Sequence, residues 1–424
     1  MLVGVVLPGS DNGATRYDPL AELASLSEAA GAHVVGRVIQ KRARICPGTY
    51  IGRGKVLELA DYVQEKDAEV VIFDNDLSPS QIREIEKISK RRVIDRTELI
   101  LDIFAGRART HAAKLQVELA QLEYTAPRLR GMWTHLERIA GAGGGTAAGA
   151  VGGIGTRGPG ERQIEIDRRL ASKRVSFLKE QIAQIDRRKL REVRSRSEYF
   201  TISLVGYTNA GKSTLMNVLT GADVVVADQL FATLDTKTKR WNLGGGQTAL
   251  VSDTVGFVRN LPHRLVASFR ATLEETIHSD LLLHVVDASS PDAVGQIRAV
   301  EAVLLELGCN EIPRINVLNK IDALRDDSAI HLLRVSLHGA VEISAARGLG
   351  LDSLAEMVLD RMRSRYVRVT IESTASNGRL VAYVSKHGHI LGQDYDDGVM
   401  RLDVRIPKAE LERIRNLGGV LQGS

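Results

Sequence analysis

The apolar positions of this chain fall into four stretches with different rhythms. Over residues 1–104, short apolar runs at 2–7, 33–39, 70–74 and 92–95 read as strands. Amphipathic stretches at 19–30, 55–66 and 80–90 read as helices between them. That alternation predicts a small parallel sheet. From Arg107 to Gly141 the rhythm becomes helical, with Leu115, Leu119, Leu122, Leu129 and Trp133 at near-helical intervals and Pro127 set to kink or break it. A second helical stripe, Ile164, Leu170, Val175, Leu178, Ile182 and Ile185, runs through 163–196. Half of 141–160, between the two, is glycine, and no packed core can come from it. It reads either as a linker or as the presented tip of an antiparallel helical hairpin, and the helices on both sides argue for the hairpin.

The third stretch, 199–366, consists of apolar runs that each end in polar residues. The run from Phe200 ends in Gly206-Tyr207-Thr208-Asn209-Ala210-Gly211-Lys212-Ser213-Thr214, a G-x-x-x-x-G-K-S spacing where a strand should turn into a helix. Glycines at both ends let backbone N–H groups curl toward phosphate oxygens, and the following helix adds its positive end. Lys212 offers a charge for the β- and γ-phosphates, and Ser213 a hydroxyl ligand for Mg²⁺. The next run, from Ala249, ends in Asp253-Thr254-Val255-Gly256, where Asp253 can hold Mg²⁺ through water and the Gly256 N–H can sense a γ-phosphate. A strand from Ile315 enters Asn319-Lys320-Ile321-Asp322, in which the Asp322 carboxylate can accept from guanine N1–H and its exocyclic amine. Val341 to Ile343 leads to Ser344-Ala345-Ala346, a last guanine-contacting element. The set resembles the translation-factor class of P-loop GTPases. Within it, Phe231-Ala232-Thr233-Leu234-Asp235 stands where the first switch belongs, with Thr233 as a Mg²⁺ ligand.

Two residues bear on catalysis. Phe257 follows Gly256, where many small signalling GTPases place a water-orienting Gln, so intrinsic hydrolysis should be slow until a partner or an ion completes the site. Lys212, Thr233, Gly256 and Asn209 are the expected catalytic set. Asn209 either coordinates an activating K⁺ or only tolerates a left-handed backbone.

The last stretch, 367–424, alternates at Val367, Val369 and Ile371 and again at Met400, Leu402, Val404 and Ile406 against Arg401, Asp403 and Arg405. With helical patterns at 380–386 and 408–415, it predicts a one-sided sheet closed by helices. The fold class is therefore α/β: a P-loop GTPase domain (199–366), preceded by a small α/β domain (1–104) with a long helical hairpin (105–198) and followed by a small α+β domain (367–424).

Length and composition narrow the setting. At 424 residues the chain holds two to four domains, and aromatics at 4% leave an aliphatic core. Cys46 and Cys309 stand far apart in no ligand spacing, which argues against a disulfide framework or zinc site and suits a reducing cytoplasm. No apolar run approaches membrane-spanning length, and the apolar start lacks a basic leader. The net charge is +5, but 105–140 and 161–200 together carry eighteen basic and ten acidic residues, net +8, so the rest nets −3. Such a concentration favours a polyanionic partner over a merely solvated helix surface. Arg138, Arg157, Arg162, Arg168 and Arg169 flank the glycine-rich segment and are the RNA-contact candidates.

Longer motifs carry a closer resemblance. TYIGRGKV (49–56), VIFDNDLSPSQ (71–81), VIDRTELILDIFAGRART (93–110), LQVELAQLEY (115–124) and GIGTRGPGERQIEIDRR (153–169), with GYTNAGKSTLMN, LFATLD and SDTVGF, are similar to the HflX family of ribosome-associated GTPases. The resemblance implies binding to the large ribosomal subunit, GTP-dependent splitting of ribosomes under stress, and a helical hairpin whose loop approaches the peptidyl transferase centre; the free protein is expected to be a monomer. Thr236-Lys237-Thr238 departs from the family's usual Pro-Thr-Thr, which bears on the rigidity of the first switch. The competing reading is a GTP-switched adaptor whose partner is a protein.

Overall fold

The computed structural model describes residues 1–8, 18–126, 159–195, 199–221, 231, 236–244, 246–259, 275–324, 327–396 and 398–422. Over 159–168, 189–195, 327–329 and residue 409 it describes the backbone alone.

The first unit is a parallel sheet of β1 (Leu2–Val6), β2 (Arg37–Lys41), β3 (Val70–Phe73) and β4 (Arg92–Asp95), in the order β2-β1-β3-β4. Helices α1 (Ala21–Ala29), α2 (Arg53–Glu65) and α3 (Pro79–Ser89) connect them. Local chemistry sets the boundaries. Ser78 caps α3 in a reciprocal box with Gln81, Pro79 opens its first turn, and Lys90 ends it in the left-handed region at φ 56°. Gly52 is the residue before α2, and Arg53, Gly54 and Lys55 form its first turn. Val3, Val71, Phe73, Leu59 and Ile85 fill one side of this sheet.

Beyond β4 the structure corrects the sequence reading. A helix α4 (Arg96–Arg107) precedes the expected one, and the chain breaks at Ala108 before α5 (His111–Thr125). Two caps explain the break: Asp95 accepts from the Glu98 N–H at 2.9 Å, and Thr110 from the Ala113 N–H at 3.2 Å. The second long helix, α6 (Pro159–Ser195), packs on α5 through Leu115, Leu119 and Leu178, with Val175, Ile182 and Ile185 beside them. Arg174 pairs with Glu118 and Lys179 with Glu123 across this seam. Leu129, Trp133 and the glycine-rich segment lie outside the described residues.

The third unit holds a six-stranded sheet in the order β10-β9-β8-β5-β7-β6. Its strands are β5 (Phe200–Gly206), β6 (Lys237–Gly244), β7 (Gln247–Asp253), β8 (Leu281–Asp287), β9 (Arg314–Asn319) and β10 (Val341–Glu342). Among these, only β6 runs antiparallel to its neighbour. The near-continuous burial of β5, β7 and β8 follows from helices on both faces. These include α7 (Lys212–Thr220), α8 (Ala293–Glu306), α9 (Asp327–Ser336) and α10 (Leu351–Arg365).

Directly after α10 comes an antiparallel sheet of β11 (Tyr366–Thr374), β12 (His389–Asp396), β13 (Val399–Pro407) and β14 (Val420–Gln422), ordered β12-β13-β11-β14. It is one-sided, as the alternation predicts. Ile371, Met400, Leu402, Val404 and Ile406 are buried with Leu380 and Val384 of α11 (Gly378–His387) and Ile414 of α12 (Leu411–Asn416). The other face carries paired charges, Arg368 with Asp403 and Arg401 with Glu372.

One apolar cluster crosses from the first unit into the third. Ile100, Ile103 and Phe104 of α4 join Tyr207, Phe231, Val255, Phe257 and Val258. The Phe104 and Phe231 rings meet edge to face at 4.5 Å.

Candidate nucleotide site

The phosphate loop forms where β5 turns into α7. Gly206 lies against β8, where a Cβ would come within 2.3 Å of the Val285 carbonyl oxygen. Gly211, at φ 92°, lies against Asn319, where a Cβ would come within 2.3 Å of Nδ2. Both glycines are thus required by close approach as well as by backbone curl. Lys212 is buried, and its Nζ donates to the carbonyls of Gly206 at 3.0 Å and Tyr207 at 2.8 Å. Burial pushes its pKa down to about 8, against the pull of the Asp253 charge.

Ser213 Oγ donates to Asp253 Oδ2 at 2.6 Å, so the two groups read as Mg²⁺ ligands converge at the end of β7. A hydroxyl and a carboxylate at a helix N-terminus are hard oxygen donors and fit Mg²⁺, with Ser213 bound directly and Asp253 through water. Gly256 packs on the loop, where a Cβ would meet Thr208 at 2.7 Å and Lys212 Nζ at 3.2 Å. Phe257 continues the contact: the Thr208 N–H donates to its carbonyl at 2.7 Å, and its own N–H donates to the Gly206 carbonyl at 3.1 Å. Phe257 is 1% exposed and sits in the interdomain cluster with Tyr207 of the loop. The Phe231 ring lies in the same cluster.

The base-reading side is tied to the loop. Asn319 Nδ2 donates to the Ala210 carbonyl at 2.8 Å, and its Oδ1 accepts from the Ala345 N–H at 3.0 Å. One side chain therefore joins three of the predicted elements. Lys320 takes the left-handed region at φ 63°, and its Nζ reaches Asp287 at 2.7 Å. The Ser344 hydroxyl, with Arg347 at 3.5 Å, holds the Asp322 carboxyl below the ordinary range. Ser344 and Ala345 are buried, Ile321 is half-buried, and Asp322 and Ala346 are exposed. Thr254 donates to the Leu204 carbonyl at 2.6 Å, fixing the start of the D-x-x-G turn. Asn209 is exposed at φ 60°, a geometry compatible with both readings of it.

Ala232, Thr233, Leu234 and Asp235 lie outside the described residues, as do Arg138, Arg157 and the side chains of Arg162 and Arg168; Arg169 is exposed on α6. Sequence reasoning missed Asp287 and Arg347. The apolar run 281–286 ending in Asp287 was a usable signal for the first; Arg347 had none. Among the described residues no His, Cys, Asp or Glu cluster offers another metal site, and no helix is long and apolar enough to cross a membrane.

Three family descriptions match in tandem: "GTP-binding GTPase N-terminal" over 17–105, "GTP-binding GTPase Middle Region" over 107–196 and "50S ribosome-binding GTPase" over 201–320. A GTPase HflX from Lacrimispora saccharolytica is 43% identical over 390 residues, 92% of this chain and 89% of the relative. The chain belongs to the HflX family of GTPases. The HflX of Escherichia coli K12 is 42% identical over 94% of this chain and 92% of its own length. That of Akkermansia muciniphila is 40% identical over 98% and 96%. A solved GTP-binding protein from Sulfolobus solfataricus, in complex with GDP, is 23% identical with a TM-score of 0.41 over 85% of this chain and 98% of that one. As a member of the HflX family the protein binds and hydrolyses GTP.

Proposed function

We propose that this GTPase acts in the cytoplasm on the large ribosomal subunit, splitting or rescuing stalled ribosomes under stress or assisting their assembly. The observation that carries the reading is the basic helix pair joined to the nucleotide domain. The segments around α5 and α6 hold net +8 while the rest of the chain nets −3. Phosphate-rich RNA is the partner such a concentration attracts. The divisions 1–104, 105–198, 199–366 and 367–424 are the working units of this proposal. Sucrose-gradient sedimentation of ribosomes in GTP, GDP and a non-hydrolysable analogue tests it. Comigration with large subunits in the analogue and not in GDP is expected; no comigration in any nucleotide would favour a protein-binding adaptor.

In this reading the loop 141–160 and its flanking arginines dock on ribosomal RNA, where arginine pairs phosphates or stacks on bases. Replacing Arg157 and Arg162 by Ala should weaken large-subunit binding. The slope of log affinity against log salt should become shallower by about one for each phosphate no longer neutralised. Hydrolysis without ribosomes should persist, because neither residue belongs to the nucleotide site. Co-sedimentation at two salt concentrations reads the effect. Unchanged binding in a folded variant would return the loop to the status of a linker.

Lys212 and Gly256 face the γ-phosphate, Ser213 and Thr233 hold Mg²⁺, Asp253 acts through water, and Asp322 reads guanine. Because Phe257 offers no polar group, an ion or the ribosome completes the site. We assign Asn209 to a K⁺ ion. Hydrolysis should rise when K⁺ replaces Na⁺, and Asn209→Ala should erase the difference; equal rates in both salts would leave Asn209 a backbone role alone.

A further inference from the structure

A polar cluster lies where the first sheet meets the phosphate loop. Open α/β sheets bind ligands at the C-terminal ends of their strands, at the point where strand order reverses. In the order β2-β1-β3-β4 that point lies between β1 and β3. Three charged residues border it: Glu22 of α1, Asp74 just past β3 and Arg96 just past β4. They are paired largely with one another, although Arg96 Nε is buried without a hydrogen-bond partner among the described residues. Arg96, 4% exposed, pairs with Asp74 at 2.6 Å and Glu22 at 2.9 Å. Glu22 accepts from the hydroxyl of Tyr207, the second residue of the phosphate loop. The Tyr207 hydroxyl in turn accepts from the Arg259 N–H at 2.9 Å, and Arg96 Nη2 donates to the Arg259 carbonyl at 3.2 Å. Arg259 also pairs with Asp292 at the start of α8. The first domain thus holds the Arg259 carbonyl directly, through Arg96, and its N–H indirectly, through Glu22 and Tyr207, three residues beyond Gly256.

That segment bears on which nucleotide fits. In this arrangement two donors of the loop already have protein acceptors. Lys212 Nζ donates to two loop carbonyls, and the Thr208 N–H to Phe257. Gly256 packs directly on Thr208, beside Lys212. A γ-phosphate seated against Lys212 and the Gly256 N–H requires the lysine to turn and the Gly256–Phe257 segment to lift. Arg259 is two residues further along the chain, so lifting the segment strains the bonds to Tyr207 and Arg96. GDP, which lacks the γ-phosphate, makes no such demand.

We propose that Glu22 and Arg96 set the preference of this GTPase between GDP and GTP, by latching the D-x-x-G segment through Tyr207 and Arg259 in an arrangement that a γ-phosphate must open. This rests on the placement of the γ-phosphate at Lys212 and Gly256. Coupling of this kind is reciprocal: a latch that disfavours GTP is loosened by GTP, so the first domain registers the nucleotide state.

The test uses the full-length protein, a fluorescent GDP and a fluorescent non-hydrolysable GTP analogue. Glu22→Ala removes the acceptor of Tyr207 and a partner of Arg96, and Arg96→Gln removes the hold on the Arg259 carbonyl. Losing one or two such hydrogen bonds should tighten the GTP analogue by about three- to tenfold while GDP affinity stays within about twofold. An unchanged ratio, or one shifted toward GDP, in a variant with wild-type circular dichroism and thermal midpoint would overturn the latch. Hydrogen exchange on the wild type gives an independent reading if Arg96→Gln does not fold. Amides of 96–107 and 252–259 should exchange faster with the GTP analogue than with GDP, and equal exchange would also overturn the proposal. Wild-type protein that binds neither nucleotide would instead strike the nucleotide site itself.

Discussion

Lys212→Ala will leave the protein folded and without measurable GTP turnover. Lys212 is the fully buried cation of the phosphate loop, held between two carbonyls and turned toward Gly256. It is the one charged side chain between Gly206 and Thr214, so removing it withdraws the loop's point charge from the β- and γ-phosphates. Loss of one preorganised donor at a developing charge costs on the order of a hundred- to a thousandfold in rate. The fold should survive, because the buried loop carries this charge at a cost: burial has moved its pKa down to about 8. A bound triphosphate returns the amine toward its ordinary value, so above about pH 8 binding must take up a proton. Wild-type affinity should be flat below about pH 8 and fall above it by up to about tenfold per unit. In Lys212→Ala that slope should vanish along with turnover. Phosphate release and nucleotide titration from pH 6 to 10 check both. Turnover near wild type would show that the loop is not the catalytic site.

Asp322→Asn will lose guanine nucleotides while keeping the phosphate loop intact. The Asp322 carboxyl is kept ionised by the Ser344 hydroxyl and Arg347, and an ionised carboxylate accepts two guanine N–H bonds at once. An amide turns one accepting oxygen into a donor facing a donor. Removing a hydrogen bond to a charged group costs about 1.5–3 kcal/mol, roughly ten- to a hundredfold in affinity. Asn319 should tolerate change less well in structural terms, since it links Ala210 to Ala345. Isothermal titration of GDP, with excess ATP as competitor, measures the effect. Displacement of GDP by ATP as readily as by GTP in the wild type would contradict the guanine assignment.

The nucleotide site was legible because its elements are local. Each is a strand end followed by a turn whose residue types are dictated by phosphate or guanine chemistry, and Gly206, Gly211, Lys212 and Asn319 take the geometry those types require. The one-sided final sheet was legible for a similar reason, since strict alternation at 400–406 has one structural solution. What escaped were features that need two distant segments. Helix α4 was invisible because Ile100, Ile103 and Phe104 bury against the third unit as well as their own, which obscures a single stripe. The caps at Asp95 and Thr110 were the overlooked local signal. Edge strand β12 lacked a pattern because most of it is exposed and a register shift interrupts it near Gly392. The sequence shows that Phe257 carries no polar group. That its ring belongs to an interdomain core, and that the Tyr207 hydroxyl belongs to a cluster with Glu22 and Arg96, required the folded chain.

The reading of this GTPase as a ribosome-directed factor turns on one dependence, because Phe257 stands where many small signalling GTPases place a water-orienting Gln. The direct measurement is phosphate release by the wild-type protein, at fixed GTP and Mg²⁺, with and without purified large ribosomal subunits. We predict a slow basal rate and a stimulation of at least about tenfold that saturates with subunit concentration and weakens as salt rises. A basal rate that large subunits leave unchanged at low salt would contradict the account.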